Sequence, residues 1–322
     1  MAEEKAEDIP LTFSVMNARI RKEPLGNVLI IGAFNFPIQL TLGPLVGAIA
    51  AGCTAVIKPS EQAPATAMVM ERIIREYLDN DAYVVVNGGV PETSALLEEK
   101  WDKIFYTGGQ TVGTIIAKKA AETLTPVTLE LGGRNPAIVT RNADPRLAAR
   151  RLFWGKLHNA GQVCIGQNYI LVDRQILPEL VNQLKIAMKE FYPNGMKNSD
   201  DYARIVNKRN FQRIKKMLDE SQGRILIGGE TDESENYIEI TVVEVRDHKD
   251  SMIVQESFGP LIPLLAFDDL DEAIRVANEV DPTPLGFYPF GNKSETNKRM
   301  FNIIQLLILP VRGLTCLQYS IP

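Results

Sequence analysis

Histidine is scarce in this 322-residue chain: His158 and His248, 90 residues apart, are its only two. That pair argues against a histidine-based zinc site and leaves carboxylates as the natural acid–base groups. Cysteine is scarce too. Cys53, Cys164 and Cys316 are odd in number and widely spaced, which gives neither a disulfide framework nor a metal-ligand pattern and points to a reducing compartment. No run of 18 apolar residues occurs, so no transmembrane helix is expected. The acidic start MAEEKAEDIP lacks the apolar stretch of a signal peptide and the arginines of a transit peptide, and the expectation is a cytoplasmic protein. Positive charge is not in excess either. The 35 Lys and Arg against 40 Asp and Glu leave a net charge of −5, which argues against nucleic acid and anionic membranes as partners.

What is present is ordinary for a globular chain: 45% hydrophobic and 23% charged residues, over a length that suits two domains. From Pro24 onward strand-like and helix-like segments alternate. NVLIIGA (27–33), TAVIKPS (54–60), YVVVNGG (83–89), KIFYTGG (103–109) and PVTLELGG (126–133) read as short apolar strands, several ending in glycine. Between them lie a small-residue helix over 38–52, a helix opened by Pro64, and the helix TVGTIIAKKAAETL. This alternation predicts an α/β fold with an open parallel sheet and helices on both faces, whose ligands bind at the carboxyl ends of the strands. Asn35, Lys58, Gly108 and Glu130 fall at those ends. A second α/β domain follows, with helices over 145–158, near 176–190 and over 208–220, and strands at YILVD, RILIG, YIEITVVEV and LIPLLAF. DDLDEAIRVANEV (268–280) reads as an amphipathic helix with Ala273, Ile274, Ala277 and Val280 on one face. There is no internal repeat and no low-complexity linker.

Cys164 lies in NAGQVCIGQNY. A lone cysteine is ordinarily a small buried hydrophobe. Here glycines and amides surround it, a sharply turning polar backbone in which N–H groups can face a thiolate or an oxyanion. Glu130 ends an apolar strand; burial there would raise its pKa and suit it to activating a water, whereas an exposed edge position would be the bland alternative. Asn35 in GAFNFP is a turn residue at the ligand edge of the sheet, and Lys58 in IKPSE ends the next strand. An ordinary turn asparagine and a snorkelling lysine are their plain readings. YTGGQTVG puts Gly108 and Gly109 before a helix N-terminus, as in phosphate-binding loops, although it fits neither the GxGxxG nor the Walker pattern.

Taken together these elements resemble the aldehyde dehydrogenase superfamily, and within it the class 3 branch of fatty-aldehyde and fungal enzymes. The resemblance runs from Ile20 to Asn302. It is carried by EPLGNVLIIGAFNFPIQLTLGPLVGAIAAGCTAVIKPSEQAP, by LELGGRNP as the glutamate motif, by GQVCIGQNY as the cysteine motif and by QESFGPLIP, with 34 residues from Glu130 to Cys164.

The resemblance implies an NAD(P)-binding domain over 24–132 and a catalytic domain over 133–302, with atypical segments at 1–23 and 303–322. Cys164 would attack an aldehyde, Asn35 would hold the oxyanion, and Glu130 would activate the water that releases the acid. Lys58 and Glu61 would bind the adenosine ribose, Gly108, Gly109 and Gly113 would form the pyrophosphate turn, Glu256 would bind the nicotinamide ribose and Phe258 would pack beside the ring. No metal is implied. The Glu61 carboxylate disfavours a 2′-phosphate, so NAD is favoured over NADP. Partners would be a small-molecule aldehyde and, as in the family, a second copy of the chain. The sequence departs from the pattern at Gln110, where a threonine is usual, and at Gln255 and Ser257 in QESFGP. Both ends also depart from it. The expectation is a truncated form, with uncovered apolar surface and impaired dimerisation, and the alternative function is that of a catalytically impaired or merely nucleotide-binding remnant.

Overall fold

The computed structural model describes residues 4–5, 10–16 and 19–295. The expectations for the tail 303–322, for Cys316 and for the end of the resemblance at Asn302 lie outside the described residues. Two compact units make up the chain, one ending at Leu131 and the other beginning at Gly132.

In the first unit, a two-stranded ribbon, β1 (Glu4–Lys5) with β2 (Arg19–Ile20), precedes five strands that alternate with helices. These are β3 (Asn27–Ile31), α1 (Gln39–Ala51), β4 (Thr54–Lys58), α2 (Pro64–Tyr77), β5 (Tyr83–Val85), α3 (Val90–Glu98), β6 (Lys103–Gly108), α4 (Gln110–Glu122) and β7 (Val127–Leu131). The strands form one parallel sheet in the order β5-β4-β3-β6-β7. Because successive residues of a strand face opposite sides, Val28 and Ile30 pack toward α1 and α2 with Ile57, Leu45 and Ile74. Leu29 and Ile31 pack toward α3 and α4 with Ile104, Tyr106 and Ile116. Pro64 does stand at the first position of α2, whose buried residues Ala67, Met70 and Ile74 repeat at helical spacing. The outer faces of α1 and α2 carry exposed apolar side chains, among them Val46, Met68 and Tyr77, with Ile38 just ahead of α1. Strand order reverses between β3 and β6, so the turns leaving their carboxyl ends flank the switch point of the sheet.

The second unit holds β8 (Pro136–Val139), α5 (Pro145–Leu157), β9 (Tyr169–Asp173), α6 (Leu177–Phe191), α7 (Lys208–Glu220), β10 (Arg224–Ile227), β11 (Thr231–Asp232), β12 (Tyr237–Ile238), β13 (Thr241–Val245), β14 (Leu261–Phe267), α8 (Leu270–Val280) and β15 (Tyr288–Phe290). Its main sheet runs β10-β13-β14-β9-β8-β15, parallel except for the antiparallel edge strand β10. The central strand β9 is buried along its whole length, as a parallel strand covered on both faces should be. Asp144 caps α5 by accepting from Arg146 N and Leu147 N, ahead of Pro145 at the first helical position. The four residues expected on the apolar face of α8 are all buried.

The α/β expectation therefore stands, with particular differences. Strand β8, strand β15 and helix α3 were not anticipated, and YIEITVVEV divides into β12 and β13. Among the described residues no helix is long and apolar enough to cross a membrane.

Candidate active site

In the first unit the residues singled out in the sequence cluster at strand ends. Asn35 lies in the turn after β3 and is 92% buried, having only 8% of its surface exposed. Lys58 ends β4 beside Ile31 of β3. It is buried and does not snorkel: its ammonium donates to the Pro59 carbonyl at 3.0 Å and to Glu61 Oε2 at 3.1 Å. Gly108 ends β6, and Gly109 precedes the first turn of α4. A side chain at Gly108 would collide with the Tyr106 ring, and one at Gly113 would press on Leu131, whereas the space over Gly109 is open. An open glycine at a helix N-terminus lets an anion approach the backbone N–H groups directly. Tyr106, which the sequence reading passed over, supports this turn by donating its hydroxyl to the Gly109 carbonyl at 3.2 Å. Burial pushes its pKa up to about 12, so it stays protonated at neutral pH.

Glu130 departs from expectation. It sits on the edge strand β7 beside Thr107 and is exposed, so the burial anticipated from its apolar neighbours is absent in this chain. Edge strands carry one neighbour only, and a side chain pointing off the open face meets water.

In the second unit the candidate site residues sit on loops. The chain leaves α5 through three successive left-handed residues, Asn159 (φ 50°), Ala160 (φ 51°) and Gly161 (φ 74°). Such a run costs energy for the two non-glycine residues and must be held by its surroundings. Part of the hold comes from Gln162, which is buried. Its amide donates to the carbonyls of Asn159 and Arg204 and accepts from Val206 N at 3.0 Å. Gly161 approaches the Gly259 carbonyl so closely that any side chain would clash with it. Cys164 follows, half-buried and reduced, in a turn closed by Gly166 N donating to the Val163 carbonyl at 2.9 Å.

Gly161 thus seats the cysteine motif against the QESFGP loop. Within that loop Phe258 adopts φ 45°, unusual for an aromatic residue. Glu256 points its carboxylate at Gly132, where a side chain would collide with it, and accepts from the Gly133 backbone. The first glycine of the pair in LELGG is explained by this approach. Burial raises the Glu256 pKa to about 7 against the opposing pull of Lys156 and Arg213. Lys156, in the last turn of α5, is buried and donates to the Gln167 carbonyl at 3.0 Å and to Ser257 Oγ at 3.3 Å. Its own pKa is lowered to about 8, again by burial. Arg213 of α7 grips the same loop from the other side, donating to the carbonyls of Glu256 at 3.2 Å and Ser257 at 2.7 Å.

Lys156 and Arg213 were not among the residues expected at the site. A basic residue in the last turn of a helix reads in sequence as a solvated charge near the helix dipole, and only packing shows otherwise. The departure at Ser257 did carry a signal, since a hydroxyl replacing an apolar residue calls for a buried polar partner.

The sequence profile described as the aldehyde dehydrogenase family matches residues 1–304. A beta-apo-4'-carotenal oxygenase of Neurospora crassa is 62% identical over 295 residues, which cover 92% of this chain and 55% of that protein. The chain therefore spans about half the length of this curated relative. The solved structure of a substrate-bound Staphylococcus aureus AldH superposes with a TM-score of 0.89 at 40% identity, over 94% of this chain and 66% of that one. A Mycobacterium tuberculosis aldehyde dehydrogenase complexed with NAD+ matches with a TM-score of 0.78 at 27% identity, over 89% of this chain and 61% of that one. A matched glyceraldehyde-3-phosphate dehydrogenase of Methanocaldococcus jannaschii is complexed with NADP instead, and the family uses NAD or NADP. The half-buried thiol on a strained turn, the helix N-terminus open at Gly109 and this agreement along nearly the whole chain have one reading: the chain belongs to the aldehyde dehydrogenase family.

Proposed function

We propose that this chain carries the residues for NAD(P)-dependent oxidation of an aldehyde to a carboxylic acid, with Cys164 as nucleophile. The observation that carries the reading is the Cys164 turn itself: a half-buried thiol in a glycine- and amide-lined turn that follows a left-handed backbone run. In this scheme the Cys164 thiolate adds to the carbonyl carbon, and the carbonyl electrons move to oxygen. The Asn35 amide and the Cys164 backbone N–H stabilise that oxyanion. NAD+ or NADP+, when bound, would supply the two-electron oxidant, taking the former aldehyde hydrogen as hydride while the oxyanion re-forms its carbonyl. The acyl group then remains on Cys164 as a thioester, and Glu130 takes a proton from the water that hydrolyses it, regenerating the thiol.

The residues fit a nicotinamide nucleotide. Lys58 and Glu61 form a charged pair suited to ribose hydroxyls, and the Gly108–Gly109 turn presents open backbone at the start of α4 for a pyrophosphate. The Glu61 carboxylate disfavours an added 2′-phosphate, so NAD is the better fit of the two. Glu256 and Phe258 are assigned to the nicotinamide half. The substrate is proposed as a long-chain, aromatic or apocarotenoid aldehyde, the classes that suit the class 3 branch the sequence resembles, the last also in the name of the Neurospora relative. A homodimer, general in the class 3 branch that the sequence resembles, belongs to the same proposal.

One observation favours a second reading, nucleotide binding without turnover: Glu130 is exposed where a water-activating base would be expected to be enclosed. Purified protein incubated with NAD+ or NADP+ and a panel of such aldehydes separates the two. The first reading expects reduced nucleotide to appear, and Cys164→Ala to abolish it. Calorimetric nucleotide binding from folded protein with no turnover on any aldehyde would leave the second.

A further inference from the structure

Asn135 lies outside every motif role assigned above, yet it is wholly buried and each end of its amide is occupied. Its Nδ2 donates to the Cys164 carbonyl at 2.8 Å and to the Gly166 carbonyl at 2.9 Å. Its Oδ1 accepts from Gly286 N at 2.8 Å, and its own carbonyl accepts from Asn168 N at 2.8 Å. With two carbonyls on one side and an N–H on the other, the orientation of the amide is unambiguous.

We infer that Asn135 is a positioning residue for the nucleophile, gripping the peptide group of Cys164 itself and fixing the direction of its thiol. This rests on the reading of Cys164 as the nucleophile. The turn from Val163 to Gly166 is closed by one backbone bond, and such a turn can flip its central peptide cheaply when nothing else holds it. Asn135 removes that freedom by holding the carbonyl of Cys164 and that of Gly166 together. From the far side the Tyr288 hydroxyl donates to the Ile165 carbonyl, so every carbonyl of the turn from Val163 to Gly166 has a partner. Rotating the Cys164–Ile165 peptide would break the bond from Asn135 to the Cys164 carbonyl, and rotating the next peptide would break the bond from Tyr288 to the Ile165 carbonyl. The orientation of the Cys164–Ile165 peptide, and with it the Cα–Cβ direction of Cys164, is therefore held by an asparagine 29 residues upstream.

The test is Asn135→Ala, with Thr241→Val as control. Thr241 is equally buried and also bonded to backbone, but to Glu239 and Gly229, away from the turn. Two readouts are taken. Alkylation of Cys164 by iodoacetamide is followed against pH, with peptide mass analysis to separate it from Cys53 and Cys316. Steady-state kinetics are followed with NAD+ and a long-chain aldehyde. Asn135→Ala is expected to lower kcat by ~10- to 100-fold with KM little changed. It is also expected to move the alkylation midpoint to higher pH, while Thr241→Val moves neither. If Asn135→Ala lowers thermal stability as Thr241→Val does but keeps the alkylation profile, the inference is wrong. Where Asn135→Ala does not fold, Asn135→Asp, the isosteric change that sets an acceptor against the two carbonyls, and Tyr288→Phe are read by the same two measurements. Alkylation needs no aldehyde, so it decides the role of Asn135 even if Cys164→Ala keeps full turnover and the nucleophile reading falls.

Discussion

In the first unit Asn35, Lys58, Gly108 and Gly109 stand at or just past the carboxyl ends of parallel strands, so the regular sheet carries them to their places. In the second unit Cys164 and Glu256 stand on loops that hold each other, with Gly161 against Gly259 and Glu256 against Gly132. The cores differ in the same sense. The first unit has a thin apolar layer on each face of its sheet, with apolar side chains still exposed on the outer helices. The second has one continuous core that reaches under its loops. Strand ends need only the sheet to be right, whereas loop-on-loop packing stores strain that the core must hold in place.

The strongest way to break this comparison is a single added methyl group. Gly161→Ala puts a Cβ into the Gly259 carbonyl at a backbone φ of 74°. With neither backbone able to give, the expected loss is about 3 kcal/mol or more of unfolding free energy, read by denaturant titration, together with loss of Cys164 reactivity. A cost below that of an ordinary surface substitution would remove the claim that loop packing seats the cysteine.

A smaller effect is expected in the pH dependence of stability. Glu256 rises from 4.5 to about 7 in the folded state. The folded protein therefore binds more protons than the unfolded one in that interval, and stability falls as pH climbs through it. Lys156 drops from 10.5 to about 8, so the folded protein binds fewer protons above pH 8 and stability recovers as pH rises toward 10.5. The two contributions give a minimum between about pH 7 and 8, where both buried groups are charged. Glu256→Gln should flatten the acid limb and Lys156→Met the alkaline one. In the first unit Tyr106 titrates at about 12, beyond this window. An unchanged profile in both variants, measured as melting temperature against pH, would contradict the burial assigned to the pair.

The smallest stability change is expected from Gly109→Ala. Its Cβ would enter open space at a φ of −77°, which alanine adopts freely. Stability should move by no more than about 0.5 kcal/mol, while calorimetric affinity for NAD+ should weaken because the methyl group occupies the approach to the helix N-terminus. The same substitution would then separate the units: structural collapse at Gly161, a binding defect at Gly109.

Much of this was readable from residue order. Strands β3, β4 and β6 appeared as apolar runs closed by a turn residue or a glycine, and α2 announced itself through Pro64. Strand β8 did not, because PAIV is four residues directly after a glycine turn and carries no alternation that would distinguish it from a loop. Strand β15, YPF, is too short and its proline too discouraging. Among candidate site residues, Cys164 could be singled out by the accompanying Glu130, Asn35 and nucleotide motifs more than by the glycines and amides around it. Asn135, Lys156 and Arg213 could not, since an asparagine before a proline reads as a turn and basic residues on helices read as solvated.

By itself the sequence determined the α/β alternation and the placing of Asn35, Lys58 and the glycine turn at strand ends, because these depend on local pattern and on residue chemistry. Tertiary structure decided which charges are buried, why Gly132 and Gly161 must lack side chains, that Glu130 stands on an open edge, and that an asparagine from the glutamate motif holds the cysteine turn. Those facts arise from the approach of segments tens of residues apart, whose distances no local spacing encodes.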